Sequence, residues 1–293
     1  LKKFPTPETF LFLYTAALAA LVPDSMDHTP DYIATNRDMW NQRTAVHVSS
    51  DFYDVPAFLN GKNSLNSIEL ALLGNVQNKH LLHLQCHFGQ DTLSLARMGA
   101  NVTGVDLSDT AIAQAEAFAK QLDLQNKSRF ICCDLYSLPQ HFDEQADIVF
   151  TSYGTIGWLP DLDRWAAVVN RFLKPGGYFV MAEFHQMVMM FDEQFKEIKY
   201  SYFNRGEIIE EVSGSYTDRS APLKSLSYSW DHALSETIGA LLRQGLQLEF
   251  LEEYDYSPYN CFNNTIEKDG KFYIKGLEGK IPMVYAFRFF KPA

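Results

Sequence analysis

The stretch Leu81 to Asp106, LLHLQCHFGQDTLSLARMGANVTGVD, decides the fold. Leu81, Leu82 and Leu84 form an apolar run ahead of Gly89, and Val102, Gly104 and Val105 form a second run that closes on Asp106. Between them Leu93, Leu95, Ala96 and Met98 recur at a spacing that predicts a short amphipathic helix over Asp91 to Met98, with Gly99 as its stop. Strand, turn, helix, strand is the first half of a nucleotide-binding α/β unit, whose ligand sits beyond the carboxyl ends of the strands with its charged part near the turn. Asp106 follows Gly89 by 17 residues, near the ~20-residue spacing at which a carboxylate reaches ribose hydroxyls.

The turn argues against a dinucleotide. A pyrophosphate requires G-x-G-x-x-G so that the backbone can approach it closely, whereas Gln85-Cys86-His87-Phe88-Gly89-Gln90 keeps one glycine. A ligand without phosphates fits better, and the downstream sequence offers groups for S-adenosylmethionine. Arg129 to Leu135 reads as a third strand ending in Asp134, whose carboxylate would accept the adenine amino proton while Leu135 packs on the ring. Asp147 to Ser152 is a fourth strand that runs into Tyr153-Gly154-Thr155-Ile156-Gly157-Trp158. A helix over Leu162 to Leu173 stops at Lys174-Pro175-Gly176-Gly177, and Tyr178 to Glu183 is a fifth strand.

On these motifs the chain resembles the class I S-adenosylmethionine-dependent methyltransferases. VDLS at Val105 to Ser108, CDL at Cys133 to Leu135 and LKPGG at Leu173 to Gly177 stand in the family's order, from roughly Leu81 to Glu183. The turn HLQCHFGQDTLSLARMGA is similar to that of a group of bacterial small-molecule methyltransferases. The resemblance implies an α/β, doubly wound, Rossmann-like sheet of seven strands, mostly parallel with the last antiparallel. It implies a cofactor site made by His83, Gln85, Cys86, His87, Gly89, Asp106, Leu107, Asp134, Leu135 and Thr151. The family usually has an acid where His83 stands and glycines where Gln85 and His87 stand. Side chains there keep the backbone from approaching the methionine tail as closely, and leave Gln85 to offer an amide and His87 a ring nitrogen.

Outside the core, residues 26–79 read as a helical N-terminal cap, with helices over Asp31 to Arg43 and Ser67 to Leu73. The core occupies 80–185. In 186–231, alternation in Glu207 to Val212 and Leu226 to Trp230 predicts an inserted antiparallel β lid. Residues 232–293 return to the sheet with a helix over Ser235 to Gln244 and strands over Leu246 to Tyr254 and Met283 to Phe290. Lys2 and Lys3 precede the apolar run Phe10 to Val22, which is too short for a membrane span but similar to a signal-peptide core. Intracellular cysteine usage, a cytoplasmic cofactor and a start at Met26 favour reading 1–25 as an added, mis-assigned or partner-docking segment.

The net charge of −11 and the lack of a basic patch oppose nucleic-acid substrates. Cys86, Cys132, Cys133 and Cys261 form no C-x-x-C pair, which points to the cytoplasm. His83 and His87 around Cys86 do not make the spaced four-ligand set of a structural zinc, so no metal is expected, and no G-x-S-x-G supports a hydrolase. The expected chemistry is in-line attack on a sulfonium methyl, driven by positioning and exclusion of water. If a base assists, His185 is the first candidate and Tyr153 the second. Tyr153, Trp158 and Trp230 are candidate substrate walls, although aromatic residues bury mostly for area. The expected partner is a small molecule, with no membrane; a homodimer stays open. Two other readings remain: a noncatalytic cofactor-binding or interaction protein with a degenerate glycine turn, and a nucleotide-dependent oxidoreductase, which the single glycine opposes.

Overall fold

The computed structural model describes residues 29–293, so the expected segment 1–25 lies outside the described residues. The chain enters through α1 (Thr29–Val48), α2 (Val55–Leu59) and α3 (Ser67–Leu73), and then winds β1 (His80–Leu84), α4 (Gln90–Arg97), β2 (Asn101–Asp106), α5 (Asp109–Gln121) and β3 (Ser128–Cys132). A 3₁₀ turn, α6 (Leu138–His141), β4 (Ala146–Ser152), a second 3₁₀ turn, α7 (Leu162–Phe172), β5 (Leu173–Phe184) and α8 (Gln186–Met189) follow. The remainder is β6 (Ile208–Ser213), β7 (Lys224–Ser229), α9 (Leu234–Arg243), β8 (Gln247–Tyr254), β9 (Thr265–Lys268), β10 (Lys271–Ile274) and β11 (Val284–Phe290).

Seven strands form one sheet in the order β3-β2-β1-β4-β5-β11-β8, and β11 runs antiparallel to both of its neighbours. The apolar runs of β1, β4 and β5 are continuous because helices cover both faces. Leu82, Leu84, Val149, Phe179 and Met181 pack on one face with Trp165, Val169 and Phe172 of α7 and Leu241 of α9. Leu81, Ile148, Phe150 and Val180 pack on the other with Ile68, Leu72 and Leu73 of α3 and Leu95 of α4. The order reverses between β1 and β4, so the crevice at their carboxyl ends is the switch point where such sheets bind ligands.

Three elements differ from the sequence reading. The third strand ends at Cys132, because Asp134 instead accepts the amides of Tyr136 and Ser137 at 2.9 Å each and caps the 3₁₀ turn Leu135–Ser137. β5 starts at Leu173, so LKPGG pairs with the sheet through a register shift opposite Ala146 and Ile148 rather than forming a plain stop. α1 extends five residues beyond the predicted end at Arg43, bringing Thr44 and His47 into the interior. The β6–β7 hairpin lies between α8 and α9 in sequence and docks on α1: Asn36 Nδ2 donates to the Tyr228 carbonyl, and the Tyr228 amide donates to Asn36 Oδ1, both at 2.9 Å. A second hairpin, β9–β10, was not foreseen. No helix among the described residues is long and apolar enough to cross a membrane.

Candidate functional site

A cavity of about 660 Å³ opens at the switch point, within the size range of small-molecule sites. Its floor is the turn after β1. Gln85 and His87 sit at φ +54° and +51°, in the left-handed region that glycine adopts freely. The glycine conformation is therefore retained without the glycines, at a backbone cost of about 1–2 kcal/mol per residue. Gly89 has φ +80°, and a Cβ there would lie 2.8 Å from Ala115 Cβ and 2.9 Å from Phe130 Cε1, so this position admits no side chain.

The side chains added at the turn are held by their surroundings. Gln85 Nε2 donates to the Thr155 carbonyl at 2.8 Å, while its Oε1 is buried without a partner. His87 Nε2 lies 3.2 Å from Nδ1 of His47, whose Nε2 lies 2.6 Å from Ser215 Oγ. The Tyr53 ring stacks on His87 at 5.5 Å, Trp40 meets it edge-on at 5.5 Å, and His87 Nδ1 is buried without a partner. Burial, the neighbouring His87 and the Arg43 charge press the His47 pKa down to about 2; burial and Arg43 press His87 to about 3. Both rings are thus neutral at pH 7. His83 hydrogen-bonds Thr92 Oγ1 at 2.8 Å, and burial lowers its pKa to about 3, so it supplies no charge where the family has an acid.

Asp106 closes β2 at the cavity wall. Its Oδ2 accepts the His87 amide at 2.7 Å and its Oδ1 accepts the Ser108 amide at 2.9 Å. Burial raises its pKa to about 6 despite those bonds, which leaves a carboxylate with spare lone pairs facing the cavity. Asp134 and Leu135 line the same wall, as do Cys86 and Leu107. Thr151 is not in the lining; it is fully buried and donates to the Leu84 carbonyl at 3.1 Å, tying β4 to β1.

The loop after β4 forms the opposite wall. Tyr153, at φ +35°, donates to Glu69 Oε2 at 3.1 Å. Glu69 is fully buried, and burial together with the nearby Asp91 raises its pKa to about 7. Glu183, at the end of β5, accepts the Gly154 amide, the Thr155 amide and hydroxyl at 2.7 Å each, and the Ile156 amide at 3.3 Å. One buried carboxylate thus shapes the segment that presents Tyr153 and Trp158. Trp158 lines the cavity, stands edge-on to Trp40 at 5.4 Å, and donates to the Gly154 carbonyl at 2.7 Å.

Besides Thr151, two further expected site residues lie elsewhere. His185 caps α8 and does not line the cavity: its Nδ1 accepts the Met187 amide at 3.0 Å and its Nε2 lies 2.9 Å from Glu253. Trp230 is buried against Tyr32 at 5.2 Å and stands behind the wall rather than in it. Conversely, Tyr53, Arg43, Asp91, Tyr216, Tyr259 and Phe262 line the cavity without having been anticipated. Trp40, Arg43 and His47 carried a signal, since spacings of three and four put them on one helical face. Tyr216 and Tyr259 come from irregular segments, where no periodicity points inward.

Residues 82–181 match the family model of the methyltransferase domain. The sterol 4-C-methyltransferase strm-1 of Caenorhabditis elegans is 26% identical over 163 residues, covering 52% of this chain and 48% of that protein. A ubiquinone biosynthesis O-methyltransferase of Hydrogenovibrio crunogenus is 24% identical over 177 residues, covering 60% and 68%. The matched part thus spans about half of the first relative and about two thirds of the second. Among solved structures, the geranyl diphosphate C-methyltransferase of Streptomyces coelicolor superposes with a TM-score of 0.55 at 15% identity, over 91% of this chain and all of that one. The [4+2]-cyclase SpnF does so with a TM-score of 0.55 at 16% identity, over 88% and 95%. The fold is that of the Rossmann-like methyltransferases. Over residues 82–181 the chain is thus similar to a methyltransferase domain, the class its own motifs resemble.

The residues present fit that class's cofactor. Asp106 would hold a ribose and Asp134 and Leu135 an adenine, and Gln85 Oε1 and His87 Nδ1 at the glycine turn are buried without a partner.

Proposed function

We propose that this chain transfers a methyl group from S-adenosylmethionine to a small-molecule acceptor. The observation that carries the reading is one cavity lined both by Asp106, Asp134 and the retained left-handed turn and by the aromatic rings of Tyr53, Tyr153, Trp158 and Tyr259. S-adenosylmethionine supplies an electrophilic methyl group on a sulfonium. The chain's part is to hold the cofactor ribose on Asp106 and the adenine on Asp134 and Leu135, and to seat the acceptor between Tyr153 and Trp158. α1 and the β6–β7 hairpin, joined through Asn36 and Tyr228, exclude water from the line of attack. Positioning and desolvation of this kind supply much of the acceleration when the electrophile is already activated. Where the acceptor loses a proton, Tyr153 is the group at the cavity wall able to receive it, passing its own phenolic proton to Glu69. The acidic net charge and an aromatic-lined cavity of about 660 Å³ support a small acceptor over a nucleic acid.

The test is incubation of the full chain with methyl-labelled S-adenosylmethionine and a metabolite extract. The expected result is label in an extract component with stoichiometric S-adenosylhomocysteine. A second reading, a cofactor-binding protein that does not transfer the methyl group, is favoured by the strained Gln85 and His87 and by a fold neighbour that is a cyclase, since fold does not dictate chemistry. Tight S-adenosylhomocysteine binding with no label transfer would support it.

A further inference from the structure

Asp91 is the unmatched charge of the cavity. It stands in the first turn of α4 and lines the cavity. Each of the other carboxylates in the lining has partners: Asp54 pairs with Lys62 at 3.0 Å, Asp106 accepts the amides of His87 and Ser108, and Asp134 accepts those of Tyr136 and Ser137. Asp91 has the hydroxyls of Ser64 and Ser152, the latter at 3.5 Å, and no cation among the described residues lies within 4.0 Å of it. Burial raises its pKa, and the two hydroxyls offset that only in part. A carboxylate drawn out of water is stabilised by a cation. Aromatic rings stand within reach of the same charge. Burial first and Asp91 next hold the Tyr259 phenol well above its usual pKa, and after burial Asp91 acts on Glu69 and Tyr153 in the same sense. The Tyr259 ring is edge-on to Tyr153 at 5.1 Å and stacked on Phe52 at 5.6 Å, and all three line the cavity.

We propose that Asp91, with the rings of Tyr153 and Tyr259, binds a protonated amine, and that the acceptor of this cavity is an amine methylated on nitrogen. The proposal rests on the methyl-transfer reading above. A counterion-free carboxylate beside aromatic faces is the combination that selects an ammonium group, through a charged hydrogen bond and cation–π attraction. The charge balance agrees. Asp54, Asp91, Asp106 and Asp134 face Arg43 and Lys62 in the lining, and a cofactor with one sulfonium, one ammonium and one carboxylate offsets only one of the two excess negative charges. An anionic acceptor would be repelled, and an alcohol would leave Asp91 uncompensated. The transfer balances as follows. The bound ammonium gives one proton to Tyr153 as the Tyr153 phenolic proton passes to Glu69, a loss eased by the like charge of the sulfonium. The nitrogen lone pair then forms the bond to the methyl carbon, and the carbon–sulfur bond breaks with its electron pair on sulfur. The products are a methylated ammonium, still matched to Asp91, and S-adenosylhomocysteine.

The test is equilibrium titration of the S-adenosylhomocysteine-saturated chain with benzylamine, phenethylamine and tryptamine and with their matched alcohols. At least one amine is expected to bind about 10-fold or more tightly than its alcohol, and Asp91→Asn should erase that preference while changing the alcohol less than about 2-fold. Tyr259→Leu, which leaves α4 untouched, should weaken the amine about 2- to 10-fold more than the alcohol and decides the matter if Asp91→Asn does not fold. Equal binding of every amine and alcohol, or no binding of either at millimolar concentration, would overturn the proposal. So would a preference that survives Asp91→Asn while S-adenosylhomocysteine affinity falls, since the carboxylate would then serve the ammonium of the cofactor's tail. A wild-type chain that does not bind S-adenosylhomocysteine would refute the proposed cofactor instead, and the same amine and alcohol titrations of the free chain would still decide Asp91.

Discussion

Asp106 shows how burial gives a single residue its role. Its carboxyl, raised to about 6 by burial, is an acceptor pair above that pH and a donor below it. S-adenosylhomocysteine affinity is therefore expected to fall as the pH drops below about 6, and Asp106→Asn should weaken binding at pH 7.5 and flatten the profile. Titrations at several pH values check this; an unchanged profile in the variant would remove Asp106 from the ribose. His47 and His87 link pH to folding in a defined sense. The unfolded chain takes up protons at these histidines near ~6.5, whereas the fold resists protonation down to about 2 and 3. The unfolded state thus binds more protons below ~6.5, so each ring destabilises the fold on acidification, by at most about 1.4 kcal/mol per pH unit. Glu69 and Asp106 act oppositely, staying protonated in the fold up to about 7 and 6, above the ~4 of unfolded carboxyls. In urea denaturation from pH 6.5 to 4.5, His47→Gln should flatten the acid-side loss of stability relative to wild type, and equal slopes would contradict this. Asp106 was legible because it ends an apolar run. The His47–His87 contact was not, because it joins residues forty positions apart.

At the scale of elements, what was legible followed periodicity and turn chemistry. The helix Ser67–Leu73 and the strands ending in Asp106 and Ser152 are found as read. The third strand was overrun because Asp134 could be read as extended, while its side chain caps the turn that follows. The β9–β10 hairpin had its signal in Asp269-Gly270, at φ +52° and +72°, a two-residue hairpin turn with both residues left-handed. That signal is weak because the flanking strands are four residues each and only Ile274 among them is buried. Two substitutions test the elements that frame the site. Gly89→Ala combines a left-handed backbone with Cβ contacts under 3.0 Å to Ala115 and Phe130, so a loss of about 2–4 kcal/mol is expected in chemical denaturation; a change below ~1 kcal/mol would mean that α4 and α5 shift freely. Glu183→Gln turns one carboxylate oxygen into a donor facing backbone amides. It should cost about 1–3 kcal/mol and weaken acceptor binding more than cofactor binding, as paired titrations would show.

For the whole molecule, the order β3-β2-β1-β4-β5-β11-β8 places one crevice at the reversal between β1 and β4, and α1, the loop at Tyr216 and the segment at Tyr259 build the surroundings that distinguish this chain. The sheet was readable at its centre, where β1, β4, β5 and β11 are largely buried and rich in apolar residues. The enclosure was not, because its residues come from the cap helix, the loop at Tyr216 and the segment at Tyr259, which only the folded chain brings together. The central claim is that the turn bearing Gln85 and His87 still accepts S-adenosylmethionine, since its backbone retains the conformation glycines would give it. The most direct measurement is calorimetric titration of the full chain with S-adenosylhomocysteine, with NAD as comparison. The account predicts saturable one-to-one binding of S-adenosylhomocysteine that Asp106→Asn weakens at least about 10-fold, and no binding of NAD. Absence of S-adenosylhomocysteine binding at millimolar concentration in a folded wild-type chain would contradict it.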